Sequence, residues 1–280
     1  MYKMCVIGNP IKQSKSPWIH QQFAKQFALE IEYSTLEINK ADFKKTINEF
    51  KNQQAIGLNI TVPFKEEAFL LADEVSERAR IAKAVNTFLF KKNGAIFGDN
   101  TDGIGLVKDL QQNLSYTLEN KNILILGAGG AVRGLLYPLL QASPKSITLS
   151  NRTLNKAIEL AVEFKEQGSL QVCSLQEINK KQFDLIIEGT SAMNFFEQLT
   201  DIFDLSAVSM VYDLKYQSLA TPFLDWAKKQ GAQVVSNGIG MLIEQAAYAF
   251  QLWTGKYPDT RPVLRLIKEN FPPLSRVTFL

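Results

Sequence analysis

Two kinds of apolar pattern alternate along this chain. Short strand-like runs, "MCVIG", "EYSTLEI" and "AIGLNITV", are separated by segments near 17–29 and 40–52 whose apolar residues recur at helical spacing. The alternation predicts βα units and a mainly parallel sheet covered by helices. "ERARIAKAVNTFLF" then reads as a helix running into a strand, and "KKNGAIFG" as a hairpin turning at Asn93-Gly94. After a helical segment near 103–114, a second series opens at "KNILILGAGGAVRG", with strands "NILIL", "SITLS", "LQVCS", "DLIIE", "SMVYDL" and "AQVVS". The last long helix, "GMLIEQAAYAFQLWTG", has Gly238 and Gly240 at its start and is closed by Gly255 and Pro258. Two such series predict an α/β protein of two domains, 1–103 and 104–237, followed by C-terminal helices over 238–280.

Charge and composition narrow the function by exclusion. The chain has 280 residues and a formal charge of +3 from 31 basic and 28 acidic side chains, well mixed, which predicts neither a nucleic-acid nor a membrane partner. No apolar run approaches the ~18 residues of a membrane span, and the start, "MYKMCVIGNPI", turns too early for a signal peptide. Cys5 and Cys173 lie far apart in apolar runs, so buried free thiols in the cytoplasm are expected, with no metal-ligand spacing. The single histidine, His20, sits in "SPWIHQQFAKQFAL" on a stripe with Trp18, Ile19, Phe23, Phe27 and Ala28, which predicts packing or capping rather than catalysis. Proton transfer near neutral pH then falls to lysine and carboxylate side chains.

One lysine stands out. In "GLNITVPFKEEAF" a strand stops at Val62-Pro63 and a helix begins with Lys65 in its first turn, where the helix dipole disfavours a cation. A solvated surface lysine is one reading of Lys65. A cation placed to meet a developing oxyanion is the other.

The second series opens with a nucleotide signature. In "NILILGAGGAVRG" Gly127 ends a strand, and Gly129 and Gly130 start a helix whose N–H groups suit a pyrophosphate; Val132 takes the third glycine slot. NAD sites carry an acid about 20 residues on, at the end of the next strand, to hold the ribose 2′-hydroxyl. Here "SITLSNRTLNKA" offers Asn151, Arg152 and Thr153, with Lys156 a turn later. Arginine's fork suits a 2′-phosphate, so NADP is the expected cofactor.

Taken in order, "GNPIKQSKSPWIH", "NITVPFKEEA", "AVNT", "GDNTDGIG", "GAGGAVRG", "SNRT", "VYDLKYQ" followed by "TPFL", and "NGIGMLIEQAAYAFQLW" closely resemble the shikimate dehydrogenase family, from about residue 5 to about residue 260. The resemblance implies a first domain that binds substrate, a Rossmann-type doubly wound domain that binds NADP, and C-terminal helices returning to the first. It implies NADPH-dependent reduction of 3-dehydroshikimate to shikimate, a small-molecule substrate, and a monomer or homodimer. Lys65 and Asp102 would be the catalytic pair. Ser14 and Ser16 would bind the substrate carboxylate, with capping a second role for Ser16. Thr61, Asn86 and Thr101 would line the ring-hydroxyl site, Tyr216 would lie near the carboxylate, and Gln245 would project from the returning helix. On the cofactor side the resemblance implies Gly127, Ala128, Gly129, Gly130 and Ala131, then Asn151, Arg152, Thr153 and Lys156, and finally Thr190, Leu214 and Gly238.

The chain departs from the family after "FDLII", where Asn-Ala-Thr-Ser or a close relative is usual and this chain has Glu188, Gly189, Thr190, Ser191, Ala192 and Met193. A carboxylate at Glu188 either opposes the cofactor phosphates or faces solvent. Asn237 stands where aspartate is common. Two alternatives stay open: a quinate/shikimate dehydrogenase using NAD, which "SNRT" disfavours, and a catalytically silent nucleotide- or acid-binding relative, which the retention of Lys65 and Asp102 disfavours.

Overall fold

The structure is a computed structural model and describes residues 1–190, 196, 199, 204–216 and 221–270, with side chains through Ile267. Two compact units result, one of Met1–Gly105 with Ile243–Arg265, the other of Leu106–Leu242 with the residues from Leu266 on.

In the first unit the order is β1 (Tyr2–Gly8), α1 (Ser16–Gln26), β2 (Ile31–Glu37), α2 (Phe43–Asn52), β3 (Gly57–Ile60), α3 (Lys65–Leu71), β4 (Glu74–Val75), α4 (Glu77–Ala82), β5 (Thr87–Phe90) and β6 (Ile96–Asp99). The sheet order is β2-β1-β3-β5-β6-β4. Pairings β1–β2, β1–β3 and β4–β6 are parallel, whereas β5 runs against both β3 and β6. The exception follows from the hairpin, since so short a connection leaves no room for the crossover that parallel strands need. That hairpin is not the two-residue turn expected at Asn93-Gly94. Only Gly94 has positive φ, and Lys91 accepts from Gly94 N–H and donates to the Ala95 carbonyl, both at 2.9 Å, which leaves a three-residue loop.

Alternation along β1 divides the core. Cys5 and Ile7 pack with Phe43, Ile47, Phe64, Ala68 and Phe88 on one face. Met4 and Val6 pack on the other with Tyr33, Ala249 and Trp253. The last two belong to α9 (Ile239–Thr254), which is followed by α10 (Thr260–Asn270). Trp253 also donates its indole N–H to the Phe88 carbonyl at 2.8 Å.

Helix α5 (Asp102–Lys108) carries the chain from the first unit into the second and runs on into a π-helical turn, Asp109–Asn113. Tyr212 O–H and Asn113 Nδ2 donate to the buried Asp109 carboxylate at 2.7 and 2.9 Å, so the turn is pinned by its own first side chain. Then come β7 (Asn122–Leu126), α6 (Gly130–Gln141), β8 (Ser146–Ser150), α7 (Leu154–Glu163), β9 (Leu170–Val172), β10 (Leu185–Glu188), β11 (Met210–Asp213), α8 (Pro222–Lys229) and β12 (Val235–Asn237). The sheet is wholly parallel in the order β12-β11-β10-β7-β8-β9, the doubly wound arrangement whose strand order reverses between β7 and β10. Strands β7, β8, β10 and β11 are buried on both faces, as crossover helices require, while the edge strand β9 exposes Gln171. Asn237 Oδ1 accepts from Ile239 N–H at 3.1 Å and so caps the start of α9.

His20 is a packing residue. It is fully buried, stacks on Tyr33 at 4.5 Å between ring centroids, and touches Phe23, Phe250 and Trp253. Of the expected stripe, Ile19 and Phe23 are buried and Ala24 joins them, while Ala28 is exposed because α1 ends at Gln26 and Ala28 turns into positive φ. Both cysteines are buried free thiols. Burial pushes the imidazole down to about 3 from 6.5, and Asn59 offsets only part of that shift. The unfolded chain therefore takes up a proton below pH ~6.5 that the folded chain refuses until near pH 3, so stability is whole above that window and falls as pH drops through it. His20→Phe should remove up to about 1.4 kcal/mol per pH unit of this slope in urea unfolding between pH 6 and 4.5. Identical slopes for wild type and variant would show that the imidazole is charged in the fold.

Candidate active site

Lys65 is the first residue of α3 and Asp102 the first residue of α5. The α3 N-terminus is followed by Glu66 and Glu67, which suit the dipole, whereas Lys65 does not. Its countercharge is Asp102. Lys65 Nζ donates to Asp102 Oδ2 at 2.6 Å, with the side chains only 15% and 10% exposed. Asp102 occupies a helix start that favours an anion, its other oxygen accepts from Asn86 Nδ2 at 2.8 Å, and its backbone N–H donates to Asn100 Oδ1 at 3.2 Å. The lysine is not the solvated surface residue its type suggests.

Behind the pair runs a chain of buried polar groups. Asn86 Oδ1 accepts from Thr101 N–H and from Thr87 Oγ1, each at 2.9 Å. Thr87 in turn accepts from Asn59 Nδ2 at 3.0 Å, and Tyr33 O–H donates to Asn59 Oδ1 at 2.7 Å. Gln245 Oε1 lies 3.4 Å from Asn86 Nδ2 and 3.3 Å from Thr101 Oγ1, which brings Asn86, Thr101 and Gln245 together. Sequence reasoning missed Tyr33, Asn59 and Thr87. The available signal was Asn59, a polar residue inside the otherwise apolar strand "GLNI", every residue of which is buried.

Ser14 and Ser16 stand at the entry to α1, where Ser14 Oγ accepts from Ser16 N–H at 3.3 Å. The expected cap at Ser16 is absent because Lys15 holds the N-cap position and Ser16 is the first helical residue. Thr61 follows β3, half-buried, and its N–H donates to the Ile7 carbonyl at 2.9 Å. The hydrogen bonds of the Lys65 network do not extend to these three residues. Tyr216 is half-buried and belongs to the second unit.

In that unit Gly127 ends β7 with φ of 113°, and a Cβ there would lie 3.0 Å from the Gly189 carbonyl, so glycine is required on both counts. A Cβ on Gly129 would meet nothing within 4 Å, which leaves open space above the N-terminus of α6. Ala128 and Gly130 are half-buried and Ala131 is exposed along this same rim. The third glycine of the fingerprint ordinarily permits close helix–strand packing. Val132 stands there instead, fully buried, and the room is made opposite it: a Cβ on Gly189 would lie 2.6 Å from Val132 Cγ2.

After β8, Asn151 Nδ2 donates to the Thr153 carbonyl at 2.8 Å, while Arg152, Thr153 and Lys156 are exposed. No acidic residue lies between Ser150 and Lys156. The open cradle at Gly129, the helix start behind it and this unopposed basic pair fit a dinucleotide with a 2′-phosphate. Leu214 N–H donates to the Glu188 carbonyl at 2.9 Å, and Gly238 N–H to the Lys215 carbonyl at 3.1 Å.

Glu188 does not face solvent. It is 2% exposed, and its Oε1 accepts from Thr190 N–H at 3.1 Å and from Thr190 Oγ1, with Lys215 Nζ at 3.4 Å. Oε2 is buried with no partner among the described residues, and burial pushes the carboxyl up to about 7. Ser191, Ala192 and Met193, the rest of the unusual loop, lie outside the described residues. Among the described residues, no three His, Cys, Asp or Glu side chains are grouped to hold a metal ion, and no helix is long and apolar enough to cross a membrane.

Comparison with known proteins gives these features a family. The model described as shikimate dehydrogenase substrate binding domain matches residues 6–88, that of shikimate / quinate 5-dehydrogenase residues 109–212, and that of the shikimate 5'-dehydrogenase C-terminal domain residues 238–268. A shikimate dehydrogenase (NADP(+)) of Vesicomyosocius okutanii is 48% identical over 94% of this chain and 98% of its own length. Among solved structures, an Ael1 enzyme from Pseudomonas putida is 40% identical with a TM-score of 0.86, covering 95% of this chain and 98% of that one. The shikimate 5-dehydrogenase of Thermus thermophilus, in complex with NADP(H) and shikimate, is 31% identical with a TM-score of 0.84, covering 96% of this chain and 99% of that one. Lys65 facing Asp102 in one unit, a glycine-rich nucleotide loop in the other, and identity sustained along nearly the whole length have one explanation: the chain belongs to the shikimate dehydrogenase family.

Proposed function

We propose that this chain reduces 3-dehydroshikimate to shikimate, reversibly, with NADPH. The observation that carries the reading is the sheltered Lys65–Asp102 contact at 2.6 Å in a chain 48% identical to an NADP(+) shikimate dehydrogenase. NADPH, when bound, supplies the hydride that a carbonyl reduction needs. The chain's task is then to bind, orient and supply the proton. Lys65 Nζ delivers a proton to the oxygen that becomes the new hydroxyl and stabilises its developing charge. Asp102 aims the ammonium and shares the proton with it. Asn86 holds the second carboxylate oxygen, which keeps Asp102 from rotating away.

In this reading the first unit binds substrate: Ser14 and Ser16 take the carboxylate, and Thr61, Thr101 and Gln245 the ring hydroxyls. The second unit holds NADP, with Gly127 to Ala131 on the pyrophosphate, Asn151, Arg152, Thr153 and Lys156 on the 2′-phosphate, and Thr190, Leu214 and Gly238 toward the nicotinamide. Grouping of Ile243–Arg265 with Met1–Gly105 supports a return of the C-terminal helices to the substrate unit. Buried free thiols support a reducing, cytoplasmic setting, with the enzyme acting as monomer or homodimer.

The direct test is shikimate oxidation followed at about 340 nm with NADP or NAD, which reads substrate and cofactor together. Turnover with NADP well above that with NAD is expected; no turnover with either cofactor sinks the proposal. Arg152→Ala should raise KM for NADP on the order of tenfold and leave NAD little changed, because only NADP offers the guanidinium a phosphate. Equal losses for both would remove Arg152 from that role. Lys65→Ala and Lys65→Met should each lower kcat by roughly 10²-fold to 10⁴-fold with NADP binding unaltered. Asp102→Asn should be comparably impaired, and the double variant far less damaged than the product of the two losses. Near wild-type turnover in folded Lys65→Ala would return the lysine to the surface class.

A further inference from the structure

Glu188 has three features that no role above absorbs. It is 2% exposed, its Oε2 has no partner among the described residues, and it closes β10 where the strand order reverses, level with Leu126 at the end of β7. In a doubly wound sheet that reversal is where nucleotides bind. The segment after it forms the floor of the glycine loop: Gly189 N–H donates to the Leu126 carbonyl at 2.8 Å, and a Cβ on Gly127 would lie 3.0 Å from Gly189 and 3.2 Å from Thr190 N.

The surroundings are short of positive charge. Strand β11 places a second buried carboxylate, Asp213, in register with Glu188. Asp213 is occupied by its own partners, Lys215 N–H at 3.0 Å and Thr221 Oγ1 at 2.5 Å. Lys215, on the turn after β11, is the cation that reaches Glu188, at 3.4 Å and one-third exposed. From β7 and α6 the facing groups are Leu126, Gly127 and Val132, none of them charged. Two buried carboxylates thus stand side by side, Glu188 against the Lys215 ammonium and Asp213 against that residue's backbone N–H, under a loop shaped for a doubly charged pyrophosphate. Burial at low dielectric magnifies such repulsion, and the usual relief is for the acid to neutralise.

Resting on the cofactor reading above, we propose that Glu188 is a proton-holding residue of the nucleotide site: NADP binds to the chain whose Glu188 carboxyl is neutral, and binding draws a proton from solution onto that carboxyl. The free carboxyl already lies near neutrality because of its burial. The anionic ligand shifts it further toward the protonated form, so affinity is flat below pH ~7 and falls above it, at most tenfold per pH unit for one linked proton. A chain with an amide at this position would have no such dependence.

The experiment is calorimetric titration of NADP⁺ into the intact protein from pH 7 to 9 in buffers of different ionisation enthalpy, which counts protons taken up. The 2′-phosphate, with a second ionisation near pH ~6, stays constant over this range. Wild type should take up between half and one proton more than Glu188→Gln near pH 8, and its Kd should rise roughly tenfold to hundredfold from pH 7 to 9 while that of Glu188→Gln stays level. Lys215→Gln, which withdraws the cation favouring the ionised carboxyl, should move the onset of the rise to higher pH. It also carries the test if Glu188→Gln fails to fold by circular dichroism. Equal proton uptake in wild type and Glu188→Gln, an unmoved onset in Lys215→Gln, or binding by wild type without proton uptake would overturn the inference. Failure of NADP⁺ to bind wild type at any pH would overturn the cofactor reading and this inference with it.

Discussion

The contact between Lys65 Nζ and Asp102 Oδ2 joins two helix starts, and the site of the first unit depends on it. A cation at the head of α3 is opposed by that helix's dipole, while a carboxylate at the head of α5 is favoured by its own. The pair seats a charge where local structure alone would not keep it. Removing either partner leaves the other sheltered and poorly compensated, a costly arrangement that a substrate oxygen can relieve. The polar chain from Tyr33 through Asn59, Thr87 and Asn86 gives Asp102 a fixed backing in an otherwise apolar core. Each member is satisfied by its neighbour, which is the condition for polar groups to be kept inside at all.

The second unit solves a different problem, how to bring a helix start close to a strand end without the third fingerprint glycine. Val132 fills the slot with a branched side chain, and the space is conceded by Gly189 on the neighbouring strand's continuation. One close approach is thus shared between two positions far apart in sequence, and a substitution at either is felt by the other. Next to Gly189, Glu188 turns inward onto Thr190 and Lys215.

Much of this was legible in the chain. Most strands and several helices followed from period and punctuation, because two-fold and helical spacings are imposed by burial on one face or both, whereas α7 and α8 lay in stretches readable as helix or loop. The pairing of Lys65 with Asp102 came from motif resemblance, since no local rule links residues so far apart. Less was legible where tertiary contacts decide. "GLNI" reads as an apolar strand with one tolerated Asn, and only the fold reveals that Asn59 lies between Tyr33 and Thr87. Ser16 carries a capping residue type, yet the chain starts its helix one residue earlier than that role requires. Glu188 ends a strand, where carboxylates ordinarily meet water, and nothing in its neighbours announces that it is enclosed.

His20 has a consequence beyond packing. It is the chain's one imidazole, and its enclosure among Tyr33, Phe250 and Trp253 takes it out of titration near neutral pH. Imidazole is the side chain that ordinarily gives a protein its buffering capacity between pH 5 and 8. Folded, this chain should therefore exchange few protons across that range, so that one exchanged at a buried carboxyl stands out.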